Sequence, residues 1–386
     1  MTRSILPLPY SRQSISTKDI KNVVRVLRSN LITTGPYLKL FEKSISNFCK
    51  SKFAVSANSA TSALHIACLA LGVKKNDLVW TTPITFAATA NCAIYCGAKI
   101  DFVDIDSETF NMSAEALQNK LERVKLKNKL PKVVIPVHLA GQSSEMDKIK
   151  KLSSKYGFKI IEDASHAFGG TFKDNMIGNC KFSDITVFSF HPVKTITTGE
   201  GGIAVTNKKD IASKMQKYRE HGIERDKKKF IGKSHGSWHY QQQNLGYNYR
   251  MSDIHAALGL SQMKRVNKFI KKRNSIAKHY IESFKNLPIT FQKEKFKTSS
   301  TYHLFIVRVS QKIRNKLFEH LKKRKILVNI HYIPIYLHPF YKSFGFKGSE
   351  FKNSVNYYNS AISLPIYYDL SKKDQNRVIN IIKKFF

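Results

Sequence analysis

The chain has 386 residues, enough for two domains and a sizeable core. Apolar residues make up 42% and aromatics 11%, a globular composition that excludes a disordered or fibrous chain. The 65 Lys and Arg against 27 Asp and Glu leave a net charge of +38, but the lysines run the whole length, and no arginine-rich arm, helix-turn-helix or zinc-finger pattern gathers them, so specific nucleic-acid recognition is not expected.

The opening MTRSILPLPYSRQ lacks the long apolar region of a secretory signal, and no uncharged apolar run reaches the roughly 18 residues a membrane span needs. A cytoplasmic protein without membrane contact is expected. Residues 17–29 have helical apolar spacing behind a Thr cap, Gly35-Pro36 breaks the chain, and PYLKLFEKSISNFC reads as a second helix. Then strands and helices alternate: KFAVSA and SATSALHIACLAL, LVWTTPI and FAATANCAIYCG, KIDFVDI and SAEALQNKLERV, KVVIPVHL and EMDKIKKLSSKYG, then FKIIEDA. Short apolar strands in this alternation predict a mostly parallel sheet covered on both faces, an α/β fold. The strands DITVFSF and GGIAVT follow without full crossover helices. A long helix is expected over about 251–284, linking a large domain, 1–265 with its N-terminal arm, to a smaller α+β domain, 266–386. The five cysteines, odd in number and without metal-ligand spacing, read as reduced core residues, and no metal site is expected.

Three segments carry chemistry together that none carries alone. In SANSATSALHIA, Ser59, Ala60, Thr61 and Ser62 open a helix straight after a strand, where free backbone N–H groups and hydroxyls suit a phosphate. In IIEDASHAFGG, Asp163 ends a parallel strand, the edge where open α/β sheets bind ligands. In SFHPVKTITTGEGG, Lys194 sits among threonines and glycines that permit a ligand's close approach. A lone lysine in so basic a chain is a surface charge. A lysine following a phosphate cradle and a strand-end carboxylate has the parts that pyridoxal 5′-phosphate (PLP) needs: an amine for its aldehyde, an acid group for its ring nitrogen and donors for its phosphate. Phe86 is available to stack on the ring.

In these segments, and in LGYNYRMSDIHAALGLSQ, the chain resembles the fold-type-I, PLP-dependent sugar aminotransferases of the DegT family, over nearly its whole length. The resemblance implies a seven-stranded, mixed but mostly parallel sheet in the large domain. It implies that Lys194 carries the cofactor as a Schiff base, Asp163 pairs with the ring nitrogen, and His166 hydrogen-bonds the cofactor's phenolic oxygen. Ala60, Thr61 and Ser189 would bind the phosphate, and Phe86 would stack on the ring. Asn248 would reach the phosphate of the neighbouring subunit, giving a homodimer with shared active sites. Dehydratases of the same fold carry histidine where Lys194 stands. HPVKTITTGEGG, YQQQNLGYNYRMSDI, VNIHYIPIYLHPFY and LPYSRQ are most similar to members of the pseudaminic acid pathway. Those members use L-glutamate to aminate C4 of a UDP-linked 4-keto-6-deoxy-N-acetyl sugar. Other nucleotide-linked keto sugars, of the perosamine, bacillosamine or 3-amino type, are the alternatives. Tyr10 and His331 are candidate sugar contacts.

Overall fold

The computed structural model describes residues 6–125, 129–295 and 297–386. Seven strands form its main sheet: β1 (Phe53–Ala57), β2 (Leu78–Thr81), β3 (Lys99–Phe102), β4 (Val133–Val134), β5 (Lys159–Asp163), β8 (Ile185–Ser189) and β9 (Gly202–Thr206). Their order is β1-β9-β8-β5-β4-β2-β3, and all run parallel except β9, which pairs antiparallel with both β1 and β8. The strands are short and almost wholly buried, because helices α3 (Ala60–Ala70), α4 (Ala87–Tyr95), α5 (Ala114–Lys125), α6 (Met146–Tyr156) and α7 (Lys209–Arg219) cover the faces. Asp163 pairs in register with Val187, so the ends of β5 and β8 lie side by side in the middle of the sheet. A hairpin, β6 (Thr171–Phe172) with β7 (Asn175–Met176), leads from one to the other.

Helix α1 (Thr17–Leu27) starts on a capping box between Ser16 and Asp19, and α2 (Pro36–Cys49) starts on Gly35 with Pro36 in its first turn. Gly35 has no side chain to cap α2. The buried carboxylate of Asp253, in α8 (Asp253–Met263), does so instead, accepting N–H bonds from Gly35 and Tyr37 at 2.8 Å each. A Cβ on Gly35 would stand 2.9 Å from that carboxylate oxygen, so the cap requires glycine here. Such caps contribute about 1 kcal/mol.

The single helix expected over 251–284 is two, α8 and α9 (Val266–Phe284), with Lys264 and Arg265 in a turn between them. At this turn Gln262 and Arg265 both reach the fully buried Asp19 carboxylate, at 2.9 and 2.6 Å. No Gly or Pro marks the break, which is set by α1 packing alongside.

Beyond α9, β12 (Thr290–Phe291), β14 (Phe305–Arg308) and β15 (Ala361–Leu364) form an antiparallel sheet with its own core, backed by α10 (Gln311–Lys323) and α13 (Lys372–Lys383). Helices α11 (Pro339–Lys342) and α12 (Lys352–Ser360) lie between α10 and β15 in sequence, and β13 (Thr298–Ser299) crosses back to pair with β6. The N-terminal arm also belongs to this second core: Leu8 exchanges backbone hydrogen bonds with Lys325 and Leu327, and Tyr10 accepts one from Ile366. Between α7 and α8, the two-residue strands β10 (Ile223–Glu224) and β11 (Gln241–Gln242) make a small hairpin. All five cysteines are free, four of them buried. Among the described residues no helix is long and apolar enough to cross a membrane.

Candidate active site

A cavity of about 560 Å³ opens at the C-terminal ends of the parallel strands. Its floor is the sheet. Ser59 leaves β1 in extended conformation and caps α3 by accepting from the Ser62 N–H at 3.0 Å. The N–H groups of Ala60 and Thr61 have no partner among the described residues, and both residues line the cavity. Gly202 makes this placement possible: a Cβ there would lie 2.4 Å from the Ala60 nitrogen, so only glycine lets β9 press against the start of α3. Ser189, at the end of β8, lines the same corner. The corner therefore offers two open backbone donors at a helix N-terminus beside three hydroxyls, the chemistry of a phosphate site.

Asp163 lies across the floor, 5% exposed. Its Oδ2 accepts from the Thr89 hydroxyl at 2.6 Å and its Oδ1 from the Ser165 N–H at 3.1 Å. With its proton committed to the carboxylate, Thr89 in turn accepts from Thr85, 2.7 Å away. Neither threonine stood out in the sequence. They sit four apart around the start of α4, and only folding sets them against a carboxylate 74 residues on.

Lys194 enters the cavity from the connection between β8 and β9. Among the described residues its amine has no ion pair or hydrogen bond. Burial lowers its pKa to about 8, and the Asp163 carboxylate pulls in the opposite direction, too weakly to restore the usual value. The threonines around it were expected to leave room for a ligand. They serve the loop itself: Thr197 donates to the Phe190 carbonyl at 2.9 Å and Thr198 to the Glu200 carbonyl at 2.7 Å. Gly199 takes the left-handed turn between them (φ 82°).

The remaining expected residues divide. Phe86, Tyr10, His166 and His331 all line the cavity. Phe86 is 61% exposed, a flat ring at the mouth with nothing covering it among the described residues. His331 is buried, bonded through Nδ1 to the Ser363 hydroxyl at 2.8 Å, and burial with the Lys194 charge holds its pKa down to about 3. The Tyr10 ring stands 5.1 Å from it. Asn248 is different: it is exposed and does not line this cavity. Its backbone bridges to Glu220, and the next residue's carbonyl accepts from the Asn58 N–H. Tyr332, which the sequence reading passed over although it follows His331, lines the cavity with its hydroxyl 3.0 Å from His166 Nε2.

A helix-start anion corner, a strand-end carboxylate and an unpaired lysine of lowered pKa in one cavity fit PLP group for group. The DegT/DnrJ/EryC1/StrS aminotransferase family model matches residues 13–383. The chain belongs to that family. It is a PLP-dependent aminotransferase acting on sugars. It is 37% identical to the UDP-4-amino-4,6-dideoxy-N-acetyl-beta-L-altrosamine transaminase of Campylobacter jejuni, over 95% of this chain and 94% of that one. It is also 37% identical to the spore coat polysaccharide biosynthesis protein SpsC of Bacillus subtilis, over 97% and 96% of the two chains. Among solved structures, Helicobacter pylori PseC, an aminotransferase of pseudaminic acid biosynthesis, superposes with a TM-score of 0.88 at 32% identity, over 98% and 99%. The PLP-form of the sugar-aminotransferase candidate Spr1654 of Streptococcus pneumoniae superposes with a TM-score of 0.87 at 29% identity, over 98% and 100%.

Proposed function

We propose that this enzyme moves the amino group of L-glutamate to C4 of a UDP-linked 4-keto-6-deoxy-N-acetyl sugar, forming UDP-4-amino-4,6-dideoxy-N-acetyl-β-L-altrosamine for pseudaminic acid synthesis. It works in the cytoplasm as a homodimer whose sites are shared. The observation that carries the reading is the meeting of Lys194, Asp163 and the open start of α3 in one cavity.

When bound, PLP supplies an electrophilic aldehyde and a ring that accepts electrons. The chain supplies the rest. Lys194 would hold the cofactor and, once freed, its amine would take the proton from the glutamate Cα; in the second half-reaction the same amine would return a proton to C4 of the sugar. A pKa of about 8 leaves a useful fraction of neutral amine near neutral pH. Asp163 would pair with the ring nitrogen and favour its protonated state, while Thr89 and the Ser165 N–H fix the carboxylate's orientation. Ala60, Thr61 and Ser189 bind the phosphate, Phe86 covers the ring, and Asn248 completes the phosphate site of the partner subunit. His166 would lie toward the cofactor's phenolic oxygen, and Tyr10 and His331, which line the same cavity, would contact the sugar.

The test is direct. The purified protein is incubated with glutamate and each candidate nucleotide-linked keto sugar, and the product is identified by NMR. The 4-amino altrosamine product from the UDP sugar supports the reading. Turnover only of a GDP-linked, bacillosamine-type or 3-keto sugar would keep the transamination and replace the substrate. That outcome is worth testing because the spore coat relative is as similar as the altrosamine transaminase.

A further inference from the structure

His166 was expected to offer its own hydrogen bond to the bound molecule. Its surroundings assign its proton elsewhere. The Ala140 N–H donates to His166 Nδ1 at 3.3 Å, so that nitrogen carries a lone pair. A neutral imidazole with an accepting Nδ1 has its proton on Nε2. Burial comes first among the causes that hold His166 neutral, followed by the Lys194 charge. Nε2–H lies 3.0 Å from the Tyr332 hydroxyl and therefore donates to it. Tyr332 thus has its lone pair engaged and its own proton free, with no acceptor for it among the described residues. The His303 ring packs against His166 at a tilt of 45° with centroids 4.4 Å apart, and the Phe86 ring lies 6.1 Å from the Tyr332 ring. The hydroxyl is thereby held at the cavity wall.

We infer that Tyr332 is the hydrogen-bond donor this wall presents, to an oxygen acceptor of the bound molecule, and that His166 is a positioning residue that orients it. The inference rests on the proposed PLP-dependent reading for the identity of that molecule. Two oxygens share the required chemistry: the phenolic oxygen of the cofactor and the keto oxygen of the sugar.

The experiment has one arm that needs neither. In cofactor-free protein with ¹⁵N-labelled histidine, NMR should show His166, assigned with His166→Gln, protonated at Nε2, and Tyr332→Phe should shift that resonance. A proton at Nδ1 would overturn the inference. The second arm measures PLP affinity without substrate, and the third measures kcat/KM for the keto sugar. If the acceptor is on the cofactor, Tyr332→Phe weakens PLP binding roughly tenfold. If it is on the sugar, PLP affinity is unchanged and kcat/KM for the sugar falls by a similar factor, while the glutamate half-reaction is spared. A change below twofold in both arms would also overturn it. His166→Leu should reproduce the loss. His166→Gln, whose amide can accept from Ala140 and donate to Tyr332 at once, should recover most of it. Wild-type protein that took up no PLP would defeat the proposed function and leave the NMR result standing.

Discussion

The connection from β8 to β9 and the connection from α7 to α8 flank α7 on either side, yet they are built on opposite terms. In the first, residues 190–201, the Thr197 and Thr198 hydroxyls and the Gly199 N–H find partners inside the loop, while the Lys194 amine has no ion pair or hydrogen bond among the described residues. In the second, Ile231, Trp238 and Leu245 are 79%, 76% and 77% exposed, and the hairpin within it has two residues per strand. A finished loop presents one reactive group. An unfinished one leaves large apolar side chains in solvent. The difference teaches that the first connection delivers a reactive group to the cavity of its own chain, whereas the second leaves apolar side chains that little covers among the described residues. On the proposed reading a second copy of the chain covers them, because Asn248 lies at the end of the same connection and outside its own cavity.

The largest effect should come from the self-sufficient loop. Lys194→Ala should abolish the visible absorbance of the PLP-loaded protein and lower turnover by at least about a thousandfold. Retained absorbance with near-normal turnover would leave Lys194 as an ordinary surface lysine. Asp163→Asn comes next. It should keep cofactor in the site but cost roughly 10²–10³ in kcat, since a neutral amide cannot balance a cationic ring nitrogen. Thr89→Val should follow the same course at a smaller amplitude, because it frees the Asp163 carboxylate to turn without removing its charge.

The unfinished connection is tested by mixing. Asn248→Ala should weaken PLP binding several-fold. If Asn248 acts on the partner's site, a heterodimer of Lys194→Ala and Asn248→Ala subunits holds one site with both native residues and one with neither. A 1:1 mixture re-equilibrated at random is about half heterodimer, so about a quarter of all its sites should then bind PLP with native affinity. Mixtures that behave as the average of the two variants would place Asn248 in its own subunit's site, or outside any site.

How much of this the sequence discloses follows the same division. Asp163 was legible because a carboxylate at the end of a buried parallel strand can face little but the ligand crevice. The start of α3 was legible because small and hydroxyl residues after a strand announce an open helix terminus. Lys194 became legible only beside those two. Thr89 and Tyr332 were not, because each acts through a partner far away in sequence: Thr89 is 74 residues from Asp163 and Tyr332 is 166 from His166, and Thr85 acts only through Thr89. The break between α8 and α9 was hidden for the same reason, since Asp19 enforces it from across the chain.

The smallest effect concerns the stability cost of the chemistry. Folded Lys194 loses its proton at about 8, while an unfolded lysine holds it to roughly 10.5. Between those values the unfolded chain binds more protons than the folded one, so the stability of the cofactor-free protein should rise with pH across that window. Below pH 8 both states are charged and the full cost of burying the ammonium remains. Lys194→Met removes the charge at every pH. It should therefore be the more stable protein near pH 7, with the gap narrowing by about 1–2 kcal/mol as pH approaches 10, the amount reduced by the partial exposure of the side chain. Paired urea titrations of the two cofactor-free proteins from pH 7 to 10 measure this. A gap constant with pH would mean that the amine is as well solvated folded as unfolded, and the first connection would then lose what sets it apart from the second, a reactive group held out of water by a loop braced through Thr197, Thr198 and Gly199.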